Sequence, residues 1–111
     1  MEKLISDLVS LINEKSGENL KVYDVSEITT ITKFVFIVTA NSNIHAQSLT
    51  KYVTDALLEN NYGQYLMSKN VETNNPWILV DASDIIFHIF EAESREFYNL
   101  EKLYIRGTCL V

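Results

Sequence analysis

This chain has little of what most chemistry or membrane insertion requires. Its 111 residues include one cysteine, two histidines, one proline and three glycines. A single Cys109 cannot close an internal disulfide, and near the C-terminal end it reads as an incidental thiol rather than a nucleophile. A zinc site needs more His and Cys than the chain offers. Three glycines supply no Gly-rich phosphate loop, and no linker, repeat or low-complexity tract is present. No apolar run reaches the ~20 residues of a membrane span. The first residues lack a signal peptide's apolar core and are too acidic for a transit peptide. A reducing cytoplasm fits this cysteine usage best. Basic charge is scarce as well: nine Lys and Arg stand against fifteen Asp and Glu, for a net charge of −6. Phosphate backbones repel such a surface, so little direct nucleic-acid contact is expected. A basic protein partner is favoured, because complementary charge speeds encounter and fixes orientation. The simpler reading is that the acidity only keeps the protein soluble. Neither a cofactor nor a metal is expected.

What is present is apolar patterning. Hydrophobic residues make up 47% of the chain, enough for the core of one domain over residues 1–111. Leu4, Ile5, Leu8, Val9 and Ile12 form a stripe at helical spacing, predicting a helix over 2–15 with Gly17 as its terminator. Residues 20–25, LKVYDV, alternate as a short strand, with Leu20, Val22 and Asp24 on one side. Residues 34–39, FVFIVT, are apolar on both faces and read as a buried central strand. Ser42 or Asn43 can cap a long helix whose buried stripe is Ala46, Leu49, Val53, Ala56 and Leu57, closed by Asn60, Asn61 and Gly63. Residues 65–68 suggest another strand. A final helix or pair of turns is expected over 93–104, with Phe97, Leu100, Leu103 and Tyr104 as its stripe, and residues 105–111 as a frayed tail. The order αββαβββα predicts an α/β domain, a mixed sheet with helices packed on it.

Two short apolar runs, 77–80 and 85–90, flank Asp81-Ala82-Ser83-Asp84 and predict a hairpin. A two-residue loop at Ala82-Ser83 sets Val80 opposite Ile85 and Trp77 opposite His88. Alternation then places Ile78, Val80, Ile85, Phe87 and Ile89 on one wholly apolar face. Trp77, Leu79, Asp81, Asp84, Ile86, His88 and Phe90 share the other. That mixed face is either a second core face with a wet polar tip or a contact surface with an aromatic anchor and an acidic rim.

Other candidates for chemistry are weaker. His45 lies in the first turn of the long helix with no obvious nucleophile or carboxylate beside it, so a structural role is expected. His88 alternates with Ile86 and Phe90, which suits a partly buried, hydrogen-bonded ring better than a ligand. Asp81 and Asp84 suit turn capping better than metal binding. Glu91, Glu93, Glu96 and Glu101 form an acidic border that Arg95 and Lys102 partly compensate.

Three blocks resemble a known family. They are 20–25, LKVYDV; 36–39, FIVT, with Ser42-Asn43-Ile44-His45; and 77–81, WILVD, with 84–90, DIIFHIF, then Arg95-Glu96-Phe97-Tyr98 and Leu100-Glu101-Lys102-Leu103. With them the chain resembles the ribosomal silencing factors, bacterial relatives of the plant Iojap protein, most strongly over 17–104. The third block is long and specific. The family usually has Asp at Lys33, Gly at Ala40 and Ser83, Trp at Tyr104, often Arg at Ile44, and a Glu-Gly pair near Asn70-Val71. The resemblance implies a nucleotidyltransferase-like fold without the catalytic carboxylates. It also implies binding to the large ribosomal subunit through its protein fourteen, a basic protein, so that joining of the small subunit is blocked and translation is repressed. On this reading the chain is no enzyme. Trp77 is the apolar anchor, with Leu79 on the same face. Asp81 and Asp84 meet basic groups, His88 packs beside Trp77 and orients it, and Tyr98 and Glu101 border the patch. The alternatives are a small nucleotidyltransferase-like or metal-dependent enzyme, and a homo-oligomeric scaffold; a homodimer can also coexist with ribosome binding.

Overall fold

The computed structural model describes residues 2–61, 68–69 and 76–111. The charge-free run FVFIVTA forms β2 (Phe34–Ala40) at the centre of the sheet. It pairs in parallel with β5 (Ile85–Glu91), in register from Phe34 opposite Ile85 to Ala40 opposite Glu91. β1 (Glu18–Asp24) lies antiparallel on the far side of β2, and β4 (Trp77–Asp81) antiparallel on β5. Two-residue edge strands β3 (Ser68–Lys69) and β6 (Thr108–Cys109) complete a six-stranded sheet in the order β3-β4-β5-β2-β1-β6. The expected mixed α/β domain is thus observed.

A parallel pair needs a long crossover, and α2 (Asn43–Glu59) lies within it. α2 and α1 (Glu2–Glu14) bury their stripes on one sheet face. Leu8, Ile12, Leu49 and Leu57 meet Phe36, Phe87 and the other inward residues of the hairpin there. The second face carries a smaller cluster of Tyr23, Val25, Val35, Ile37 and Phe90. It is partly covered by α3 (Ala92–Tyr98) and α4 (Glu101–Tyr104).

Local chemistry sets the boundaries. Ser42 caps α2, its Oγ accepting from the His45 amide at 3.0 Å. His45 is structural, as expected. Its Nδ1 accepts from the Asn41 amide at 2.9 Å, and Nε2 faces the Lys15 carbonyl at 2.8 Å, which ties the end of α1 to the start of α2. An accepting Nδ1 leaves the proton on Nε2. α1 ends in a paired bond pattern, Gly17 N–H to Ile12 O and Ser16 N–H to Asn13 O, the Schellman arrangement. The left-handed residue is Ser16, at φ 65°, rather than the expected Gly17. Gly17 is required for space: a Cβ there would lie 2.5 Å from Ile12 Cγ2 and 2.8 Å from Val38 Cγ2.

The hairpin differs from the expected register. Trp77 lies opposite Phe90, Leu79 opposite His88 and Asp81 opposite Ile86. The loop is Ser83-Asp84, one position later than expected. Ala82 N–H bonds Ile85 O, and Ser83 takes φ 67°. Moving the loop by one residue moves the pairing by two, so the facing of every side chain is unchanged. Ile78, Val80, Ile85, Phe87 and Ile89 are indeed buried together.

Two further expectations fail near the C-terminus. Asn99, at φ 47°, breaks the final helix in two. The periodic stripe is lost, and Phe97 and Leu103 stand 81% and 66% exposed. Residues 105–111 do not fray: Thr108 and Cys109 pair with Asp24 and Tyr23, and Leu110 N–H bonds Val22 O at 2.7 Å. Of the strand expected over 65–68, Ser68 lies in β3, and Tyr65, Leu66 and Met67, like Gly63, Asn70 and Val71, are outside the described residues.

Gly17→Ala is expected to lower stability by about 1–3 kcal/mol through overpacking. Ser16→Gly, which relieves a left-handed side chain, should leave stability unchanged or raise it. Urea melts of both variants check the assignment; the opposite ranking would return the left-handed role to Gly17.

Candidate protein-binding face

The second face of the hairpin gathers an aromatic cluster. Trp77 is half-buried, its ring stacked on Phe90 at 5.2 Å between centroids and tilted against Tyr98 at 4.7 Å. Its indole N–H donates to His88 Nδ1 at 3.1 Å. His88 is 6% exposed, and its Nε2 lies 3.5 Å from the Tyr104 hydroxyl. Accepting at Nδ1, the imidazole is neutral with its proton on Nε2, facing Tyr104. Burial pulls the His88 pKa down to about 4 and pushes that of Tyr104 up. His88 therefore orients Trp77 by a hydrogen bond as well as by packing. Leu79, half-buried, lies opposite His88 on the same face.

The acidic residues are elsewhere. Asp81 lies four residues along β4 from Trp77, ~13 Å at strand rise. Its Oδ1 accepts from the Ser83 amide at 3.0 Å, capping the loop while the residue remains partly exposed. Asp84 fastens the same tip through its backbone, its carbonyl accepting from Lys33 and Phe34. Trp77, His88 and Tyr98 are thus brought together, Leu79 borders them, and Asp81 and Asp84 occupy the far end of the face. Glu101 is tied to Arg95, its own side chain still 36% exposed. Its Oε1 takes the Arg95 Nε–H at 2.7 Å, while Arg95 Nη1 donates to Thr39 Oγ1 at 2.8 Å. The Arg95 side chain is only 12% exposed, so it clamps α3 and α4 onto β2.

Arg95 and Tyr104 are not among the residues expected at this face, and Phe90, expected on it, is the buried seat of Trp77. Arg95 and Glu101 are six apart, a spacing that no helix pairing rule links. Among the described residues, no group of three or more His, Cys, Asp or Glu is placed to hold a metal ion. No helix among them is long and apolar enough to cross a membrane.

Comparison with known proteins bears on this arrangement. The family described as "Ribosomal silencing factor during starvation" matches residues 1–109. The chain belongs to this family. It is 29% identical over 92 residues to the ribosomal silencing factor of Bacillus subtilis, covering 83% of this chain and 76% of that one. It is 30% identical over 104 residues to the chloroplastic protein Iojap of Zea mays, covering 91% of this chain and 43% of that longer protein. Crystal structures of proteins from Chromobacterium violaceum and Bacillus halodurans superpose with TM-scores of 0.83 and 0.81 at 22% identity. The first superposition covers 94% of this chain and 85% of the other, the second 100% and 99%. These two show the shared fold. Family membership supports a ribosome-associated role in silencing translation.

The buried histidine predicts a pH dependence. Its ordinary pKa is 6.5, and folding holds it near 4. Between those values the unfolded chain binds more protons, so stability falls as the pH drops through the window and is complete above it. The slope is at most about 1.4 kcal/mol per pH unit. Asp24, whose carboxyl Ser26 holds below the ordinary carboxylate value, contributes only at lower pH. His88→Gln keeps an acceptor for the indole without titrating. Its urea midpoint is expected to fall less than that of the natural protein between about pH 7 and about pH 4.5. Parallel curves would remove His88 as the source.

Proposed function

We propose that this chain binds the large ribosomal subunit through its protein fourteen and thereby blocks joining of the small subunit. It acts by occupancy rather than catalysis, in the cytoplasm. The observation that carries this reading is the half-exposed Trp77–Tyr98 pair, seated on buried Phe90 and sharing a face with Asp81. Aromatic anchors of this kind dominate binding energies at protein interfaces. The net charge of −6 suits a basic ribosomal protein. A body of 33 × 31 × 24 Å is large enough to obstruct two apposed subunit surfaces. Nothing in this mechanism requires a reacting group.

Incubation with separated ribosomal subunits tests it. The protein is expected to sediment with the large subunit and not with the small one, and less so at high salt, because exposed opposite charges are screened. Sedimentation with neither subunit, or equally with both, would overturn the reading. Trp77→Ala is expected to cost at least about 2 kcal/mol of binding, roughly thirtyfold in affinity. Its loss of stability should stay below the ~3–5 kcal/mol of a core aromatic. Phe87→Ala, at a position with 0% exposure, should show that larger loss and affect binding only through unfolding. Equal destabilisation by the two changes would make Trp77 a core residue.

A further inference from the structure

Beside the aromatic cluster runs a furrow of about 170 Å³, walled by Ile28, Ile31, Ile86, Leu103 and Tyr104, with Thr29 and Thr32 between them. Among the described residues no charged one lines it. Ile31 and Leu103 are 80% and 66% exposed. Exposed aliphatic groups on a loose loop can fold away from water, but Ile31 is held out. Its amide donates to Thr29 Oγ1 at 3.2 Å, and the next residue, Thr32, is buried. Lys33 is then fastened twice: its amide to Asp84 O at 3.1 Å and its carbonyl to the Val25 amide at 2.9 Å. Ile31 and Leu103 thus give the furrow an exposed apolar wall, the kind of surface at which contacts are sought.

The furrow is continuous with the aromatic patch. Tyr104 forms part of its wall and also faces His88, which holds the Trp77 indole. At its other side Ile86 lies directly opposite Asp81 across the hairpin, which places a carboxylate beside an apolar wall. An α-helix, ~10 Å across with its side chains, is too wide to enter. A purely apolar side chain could fill the furrow but would leave the neighbouring Asp81 carboxylate without a counter-charge, whereas a cationic one uses both. Lysine and arginine join a long methylene stem to a cationic head and commonly lay the stem on apolar surface.

We propose that the furrow receives one lysine or arginine side chain of the partner protein, its stem against Ile31, Ile86 and Leu103 and its cation at Asp81. The proposal rests on the reading that this face meets a basic ribosomal protein, and it names the element recognised. A complex of standard size buries about 800 Å² on each partner, which the Trp77–Tyr98 pair cannot supply alone; the furrow extends the contact along the sheet.

Binding of Ile31→Ala, Leu103→Ala, Asp81→Asn and the Leu103→Ala/Asp81→Asn pair to purified large ribosomal subunits tests this, with Trp77→Ala as a separate arm. Asn at position 81 keeps the acceptor for the Ser83 amide. Both aliphatic positions are exposed, so their melting temperatures should not move. Each single change is expected to weaken binding roughly three- to tenfold. The double variant should lose less than the product of its singles, since both act on one side chain. Binding unchanged in Ile31→Ala and Leu103→Ala but lost in Trp77→Ala would overturn the furrow and leave the face reading intact. Unchanged binding in every variant, or no binding by the natural protein, would overturn both. Loss at the furrow without loss in Trp77→Ala would keep the furrow and remove Trp77 as anchor. A product-like loss in the double variant would overturn the single-side-chain occupant. Reduced self-association of free Leu103→Ala in sedimentation velocity would assign the furrow to a second copy of this chain instead.

Discussion

The parallel pairing of β2 with β5 is the constraint on which the rest depends. Parallel strands are stable when both faces are covered. α1 and α2 cover one face with a continuous apolar core. The second face is left to α3 and α4, seven and four residues long. Helices this short do not stand alone in water. They are held by packing and by polar groups of the sheet itself: Thr39 receives Arg95, and His88 meets both Trp77 and Tyr104. Thr39 and His88, both buried, are therefore fastening points of this cover. Neither is left without a partner, as burial requires.

Among the described residues α3 and α4 leave Trp77 and Leu79 of β4 half-buried, which is why this face is the proposed contact surface. Trp77 stands at the boundary. Its lower surface belongs to the small core through Phe90, and its edge is bonded to His88. A residue seated in this way is preorganised, so little rotamer entropy remains to be lost on binding. The same seating gives it some share in stability. On this face Phe90 and His88 are core, Trp77 and Leu79 are half-buried, and Asp81 is at the wet tip.

The elements visible in the sequence were those whose period is long or whose chemistry is local. The stripes of α1 and α2, the charge-free run of β2 and the Ser42 cap needed no tertiary information. The two faces of the hairpin also survived, because side-chain facing depends on parity alone, whereas the loop position did not. No glycine or asparagine marked the left-handed residue of that loop; a serine occupies it. Gly17 misled for the reverse reason. A glycine near a helix end suggests a left-handed cap, but here the neighbouring side chains of Ile12 and Val38 exclude a Cβ. Asp81, Asp84 and Glu101 looked alike as exposed carboxylates. Their distinct roles depend on a loop amide, a backbone carbonyl and an arginine, which sequence spacing does not bring together.

The break at Asn99 shows how one backbone choice decides several of these roles. On a continuous helix Arg95 and Glu101 would lie about 120° apart around the axis and ~9 Å apart along it, too far round to pair. An arginine buried as deeply as Arg95 cannot be left without a counter-charge. Turning the chain at Asn99 brings Glu101 back onto Arg95 while Arg95 still reaches Thr39. The same turn takes Leu100 and Tyr104 onto the small core. Phe97 and Leu103, which a straight helix would have aligned with them, are left facing water. The ion pair that fixes the cover thus also decides which apolar side chains of α3 and α4 face water.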